Sequence, residues 1–264
     1  MMASSTFNNI GMTLTFGECV ENHVGNQQIG ALAESGFSSK DLEQFYEHLT
    51  QQGMNCELVD LSKSIGDIDH MDAKVLVIRN GVGSIGCNSD HLFEEISSIE
   101  HDKKMYAYGK VMNKNARHNL CFSDFDQEPC YEEKKGRVVD FKHLPCLSMV
   151  REHLPQWFGE KAKKLGGESN LYYDLDKCFI GPHGDKERKI VIGVRLGDEF
   201  PLAFHWYHKG VPIGERVVLN LKHGDIYIMD DKASGFDWKK RIIPTLRHAA
   251  CEKGIKMFVT KKKK

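Results

Sequence analysis

A chain of 264 residues with 41% hydrophobic and 28% charged residues and a formal net charge of −1 has an ordinary globular makeup, with room for one large domain or two modest ones. No apolar run approaches the roughly 18 residues of a membrane span, and Met1-Met2-Ala3-Ser4-Ser5-Thr6 has neither a basic nor an apolar leader region, so a soluble intracellular protein, cytoplasmic or nuclear, is expected with no membrane partner. The eight cysteines stand singly with no C-x-x-C pair, which argues against a zinc ribbon or a disulfide scaffold and fits a reducing compartment.

Residues 1–36 are rich in Gly and Asn around one predicted strand, 12–16. A helix is predicted next. Ser38 or Ser39 can cap it, Asp41 and Glu43 fall in its first turn, and Leu42, Phe45, Tyr46 and Leu49 recur at helical spacing before Gly53. Strands are predicted at 56–60 and 74–79, then a helix capped by Ser89 with Leu92, Phe93 and Ile96 inward, then a strand at 104–109. This alternation reads as a small α/β domain over residues 1–109, whose residues indicate no role. Within it, Gly81-Val82-Gly83-Ser84-Ile85-Gly86 has the form G-x-G-x-x-G. The strand before it is not the first of its unit, and the next ends in Tyr108-Gly109 rather than an acidic residue, so a tight turn is expected instead.

Residues 110–145 are polar and irregular. From Leu147 a helix is predicted through Met149, Val150, Leu154, Trp157 and Phe158, interrupted at Pro155 and ended by Gly166-Gly167. Short strands follow at 171–173, 189–194, 202–207, 216–221, 225–229, 245–250 and 255–259. Their even spacing suggests a sheet closed on itself or a two-sheet jelly roll over residues 110–264, with a natural pocket at its mouth and an α+β fold class for the whole. Residues 1–169 carry 17 Lys and Arg against 25 Asp and Glu, whereas residues 170–264 carry 19 against 12. The basic half would draw a polyanion such as nucleic acid, although a solvated surface and a disordered tail at Lys261 to Lys264 account for the excess as well.

In that half, Ile180-Gly181-Pro182-His183-Gly184-Asp185-Lys186-Glu187-Arg188 sets an imidazole and a carboxylate two residues apart. On an extended strand both point to one face, and a second imidazole from elsewhere would complete a two-His, one-carboxylate set with open positions for Fe(II) chemistry. The same residues resemble the Fe(II)- and 2-oxoglutarate-dependent dioxygenases, closest to the AlkB-like nucleic-acid oxygenases. Asn170-Leu171-Tyr172 followed by His183-Gly184-Asp185-Lys186-Glu187-Arg188 looks like the family's N-x-Y and H-x-D-x-E-R. Leu219 to Met229 looks like its L-x-x-G-D strand, and Thr245 to Ala250 like the closing strand of related members.

The resemblance implies a double-stranded β-helix (jelly roll) with Fe(II), 2-oxoglutarate and O2, hydroxylating a C–H bond, most plausibly a methyl group on a nucleic-acid base. A protein side-chain hydroxylase and a non-catalytic binding protein are the alternatives. His183, Asp185 and His248 would be the metal ligands. The sequence departs from the AlkB-like pattern at one point: Lys239 and Lys240, rather than a histidine, follow Trp238. A cation for the distal carboxylate of 2-oxoglutarate is expected at Lys256, with Lys253 and Arg247 as alternatives. Asn170 and Tyr172, or Tyr173 in place of Tyr172, would also bind the co-substrate. Arg117 and His118 are candidate phosphate contacts, and Trp206, Phe236 and Trp238 candidate base-stacking residues, each also readable as surface or core.

Overall fold

The computed structural model describes residues 7–66 and 72–258, so the Lys261 to Lys264 expectation lies outside the described residues. The first strands are β1 (Gly11–Gly17), β2 (Cys19–Glu21) and β3 (Gln28–Gly30). Helix α1 (Ser39–Gln51) opens on a capping box, in which Ser38 accepts from the Asp41 N–H and Asp41 returns a bond to the Ser38 backbone. Next come β4 (Cys56–Asp60), β5 (Lys74–Ile78), the one-turn α2 (Gly81–Ser84) in the glycine-rich stretch, and α3 (Ser89–Ser97), capped by Asn88 rather than by Ser89. The strand expected at 104–109 is β6 (Lys104–Ala107), and the region expected to be irregular holds β7 (Lys110–Asn113), β8 (His118–Ser123) and β9 (Val138–Asp140). Helix α4 (Pro145–Phe158) runs on through Pro155, where an interruption was expected, and stops at Gly159. Gly166 and Gly167 instead begin β10 (Gly166–Tyr172). The remaining elements are β11 (Ile180–His183), β12 (Val191–Gly197), β13 (Phe200–His208), β14 (Val211–Leu221), β15 (Ile226–Met229), α5 (Asp231–Ser234), β16 (Thr245–Ala250) and α6 (Cys251–Ile255).

The fold is mixed α and β, with strands predominating. One sheet has eight strands in the order β4-β5-β15-β12-β1-β10-β8-β9, and a second has four in the order β11-β16-β13-β14. Period-two alternation gives each large-sheet strand two different jobs. Met12, Leu14, Phe16, Ile192, Val194 and Leu196 face out, where Leu42 and Leu49 of α1, Leu92 and Ile96 of α3, and Leu147, Val150 and Leu154 of α4 cover them. Val75, Val77, Val191, Tyr227 and Met229 face in and share a second core with Leu202, Phe204, Trp206, Leu221 and Leu246 of the smaller sheet. Burial of this order, at about 25 cal/mol per Å² of apolar surface, is what holds the two sheets and the helical layer together.

The sheet crosses the boundary expected at residue 109. Strand β1 lies between β12 and β10, and β5 pairs with β15, so N-terminal strands complete the large sheet instead of forming a layer of their own. Of residues 255–259, read as a strand, 255–258 are the end of α6 and the turn after it, and Val259 lies outside the described residues. Among the described residues no helix is long and apolar enough to cross a membrane. All eight cysteines are free thiols.

Candidate metal centre and its cavity

His183 closes β11 and pairs in register with His248 of β16, which on its other side faces Phe204 of β13. Directly opposed residues on adjacent antiparallel strands hold their side chains about 5 Å apart, and here the two imidazole centroids lie 4.4 Å apart at 65°. Asp185 lies beyond the end of the strand, and a bond from its N–H to Ser234 O (2.9 Å) fixes it there. Gly184 permits that turn: a Cβ at this position would stand 2.1 Å from Gly235 O. Asp185 Oδ1 is 3.5 Å from both His183 Nε2 and His248 Nε2, and one ligand atom from each of the three residues lies within 4.8 Å of the others.

These separations suit a common cation. Two ligands at right angles on bonds of about 2.1 Å stand roughly 3 Å apart, so a small inward movement would bring all three into a first coordination sphere. His183 Nδ1 bonds Gly181 O at 2.8 Å, which assigns the proton to Nδ1 and leaves Nε2 as the donor lone pair. Burial would raise the Asp185 carboxyl, but His248, His183 and Arg188 hold it well below the usual range, so it is an anion. Two imidazoles and one carboxylate make a donor set that fits a divalent transition metal.

The three residues line a cavity of about 250 Å³ between the sheets. Asn170, Tyr172 and Arg117 lie on its wall, whereas Tyr173 turns away, stacking on His118 and bonding Asn115 O. Trp206 is fully buried core with its Nε1 on Leu61 O; Trp238 lines the cavity. None of the three residues expected to clamp the carboxylate lines it. Arg247 alternates with His248 on β16 and so projects from the opposite face, stacked 3.9 Å over the Tyr207 ring. Lys256 follows α6, is exposed, and is absent from the cavity wall; Lys253 reaches back to Lys177 O.

A buried cation on the cavity wall that no carboxylate pairs is Arg195 of β12. It is completely buried, its Nη1 donates to Thr13 Oγ1 at 3.1 Å, and its guanidinium lies 3.5 Å over the Phe200 ring. Among the described residues its Nε and Nη2 have no partner and no carboxylate is paired with it, and burial pulls its pKa down. Gly193, one inward position earlier, leaves room for the Tyr227 ring, which a Cβ there would meet at 2.0 Å. The signal was present in the sequence: Arg195 is the lone charge in Ile190-Val191-Ile192-Gly193-Val194-Arg195-Leu196, a strand apolar on both faces, and an unpaired buried arginine has to be reserved for something.

The chain is thus a mainly β protein of mixed class with a His–Asp–His cluster of metal-ligand type set in an inter-sheet cavity. No family model matches it. It is 45% identical over 249 residues to the uncharacterized protein R156 of Acanthamoeba polyphaga mimivirus, an alignment covering 93% of this chain and 97% of that one, and the chain belongs to the same family as that protein.

Proposed function

We propose that this protein is an Fe(II)- and 2-oxoglutarate-dependent dioxygenase whose facing sheets form a double-stranded β-helix, acting on a methyl group of a nucleic-acid base. The observation that carries the reading is that three metal-type ligands and one buried, carboxylate-free arginine line the same cavity.

His183, Asp185 and His248 would hold the metal. When bound, Fe(II) with 2-oxoglutarate and O2 supplies oxygen transfer to a C–H bond, giving R–OH, succinate and CO2 from R–H. The protein does the placing. Arg195 offers two free N–H donors to the far carboxylate of the co-substrate, and Tyr172, Tyr227 and Leu202 wall that end off from water. Asn170 is less free than the resemblance implies, because its Oδ1 already accepts from Asn119 Nδ2 (2.7 Å) and Arg117 Nε (2.5 Å). A nucleic-acid partner is supported by Lys186 and Lys239 on the cavity wall, by exposed Lys240 and Arg241 beside them, and by the aromatic face of Trp238. A base in a duplex would have to be met single-stranded or flipped out.

The test is succinate release from 2-oxoglutarate with added Fe(II), with and without methylated single-stranded oligonucleotides, followed by mass spectrometry of the oligonucleotides. Succinate from the wild type and none from His248→Ala is expected. A wild type that releases none under either condition overturns the reading.

A further inference from the structure

The outer face of the four-stranded sheet, turned away from the metal cavity, carries cations that the oxygen chemistry does not use. Arg247 of β16 lies opposite His205 of β13 in register, and Tyr207 follows His205 on the same face. The Arg247 guanidinium lies 3.9 Å over the Tyr207 ring, the Tyr207 and Phe258 rings are 6.5 Å apart, and the Arg216 guanidinium of β14 lies 5.1 Å over Phe258. Burial raises the Tyr207 phenol while Arg247 and Arg216 both pull it back, so the two cations share one neighbourhood.

Neither arginine is compensated. Both are half-buried, and among the described residues the buried Nε of each has no partner and no carboxylate is paired with either. Asp237, beside Trp238, is already paired with Lys232 at 2.8 Å, and Glu215, next to Arg216, is exposed. Burial lowers the pKa of His205, which is 6% exposed with its Nε2 on Gly214 O at 3.3 Å, so the positive charge of this face belongs to the arginines. A ring beneath a guanidinium fixes its plane and leaves its N–H edge free for a forked bond to an anion.

The patch is continuous with the cavity. Trp238, on the cavity wall, has the Arg247 guanidinium 5.2 Å from its ring centre. Exposed Lys240 and Arg241 follow in the chain, and Arg241 Nη2 donates to Lys209 O at 3.0 Å in the turn between β13 and β14, which sets exposed Lys209 beside it. The cations therefore form a row that starts from a residue of the cavity wall. A small anion would occupy one of them. A row suits a strand that carries a charge about every 3.4 Å of duplex axis.

Resting on the reading of a nucleic-acid substrate, we propose that this face is a phosphate-binding track, on which Arg247, Arg216 and Arg241 hold the backbone of the strand flanking the nucleotide in the cavity. Contacts to phosphate position the strand and carry no base preference.

The experiment measures binding of labelled single-stranded oligonucleotides of about 4 and about 16 nucleotides to the full-length protein, by fluorescence anisotropy over about 50 to 200 mM salt. The wild type is expected to bind the longer strand more tightly. Arg247→Gln, Arg216→Gln and Arg241→Gln are each expected to weaken that binding about 3- to 10-fold whatever the sequence, and to flatten the slope of log K against log salt by about 0.7. The short strand should lose less than about twofold in each. Arg241→Gln alters only an exposed side chain, so the test stands if a half-buried variant does not fold. An unchanged affinity and slope in the variants, or an equal loss for the short strand, overturns the proposal. Displacement of the long strand from the wild type by polyglutamate as readily as by unlabelled strand also overturns it, and would make the face a site for acidic protein. Succinate release decides the oxygenase reading separately, so either can fail without the other.

Discussion

Two arginines, seven residues apart in the chain, sit at opposite ends of one cavity under opposite electrostatic conditions. Arg188 is clasped by Glu168 and Glu187, which with Asp185 raise its pKa well above the ordinary value against the effect of burial. Arg195 has a hydroxyl and an aromatic face for company, and burial lowers its pKa. Cross-strand registers separate them: Thr13 of β1 lies opposite Arg195, while the Arg188 Cδ approaches Gly17, four residues further along the same strand. A compensated cation is part of the fold and can only lend its spare donors to a ligand. An uncompensated one costs the fold stability and is retained where an arriving anion completes it.

Substitution should separate the two sharply. Arg188→Met strands the buried Glu168 carboxylate and is expected to destabilise the protein by about 3–5 kcal/mol, read as a lowered denaturation midpoint. Arg195→Met removes a buried charge without stranding a partner, so its midpoint in the absence of 2-oxoglutarate should be unchanged or higher. Its affinity for 2-oxoglutarate should nonetheless fall roughly 10- to 100-fold by calorimetry in the presence of a divalent metal. Equal destabilisation by both variants would dissolve the contrast.

A smaller effect concerns pH. The folded Glu21 carboxyl holds its proton to about 7, against 4.5 ordinarily, so between those values the folded chain binds more protons than the unfolded one and stability falls as pH rises. The difference in unfolding free energy between wild type and Glu21→Gln, read from denaturant titrations at successive pH values, should change across that window and be flat outside it, with an amplitude on the order of 1 kcal/mol because the group is only half buried. Least of all should be seen with Lys256→Ala, which is expected to leave 2-oxoglutarate affinity within about twofold of wild type, since its side chain is exposed after α6.

The contrast also explains what could be read from the chain alone. Strands β12, β13, β15 and β16 and helix α1 announce themselves because short apolar runs bounded by turn residues, a 3.6-residue apolar period and a capping box are local facts. His248 was reachable because it sits on one of these strands, and His183 because H-x-D is itself a local pattern. Strand β8 was hidden in a polar stretch because its inward side carries Asn119, whose partners Glu168 and Asn170 come from β10, some 50 residues later. The sheet running through residue 109 was hidden for the same reason, since nothing local says that β1 separates β10 from β12. Family position points to the C-terminus for a carboxylate-binding cation, whereas the buried, carboxylate-free Arg195 is marked by chemistry alone: a single guanidinium in an apolar strand.

The central claim is that His183, Asp185 and His248 bind one metal ion. Anaerobic calorimetric titration of Fe(II) into the wild type and into Asp185→Ala tests it directly. One equivalent bound by the wild type and none by the variant is the predicted result, and equal binding by the two, or none by either, would contradict it.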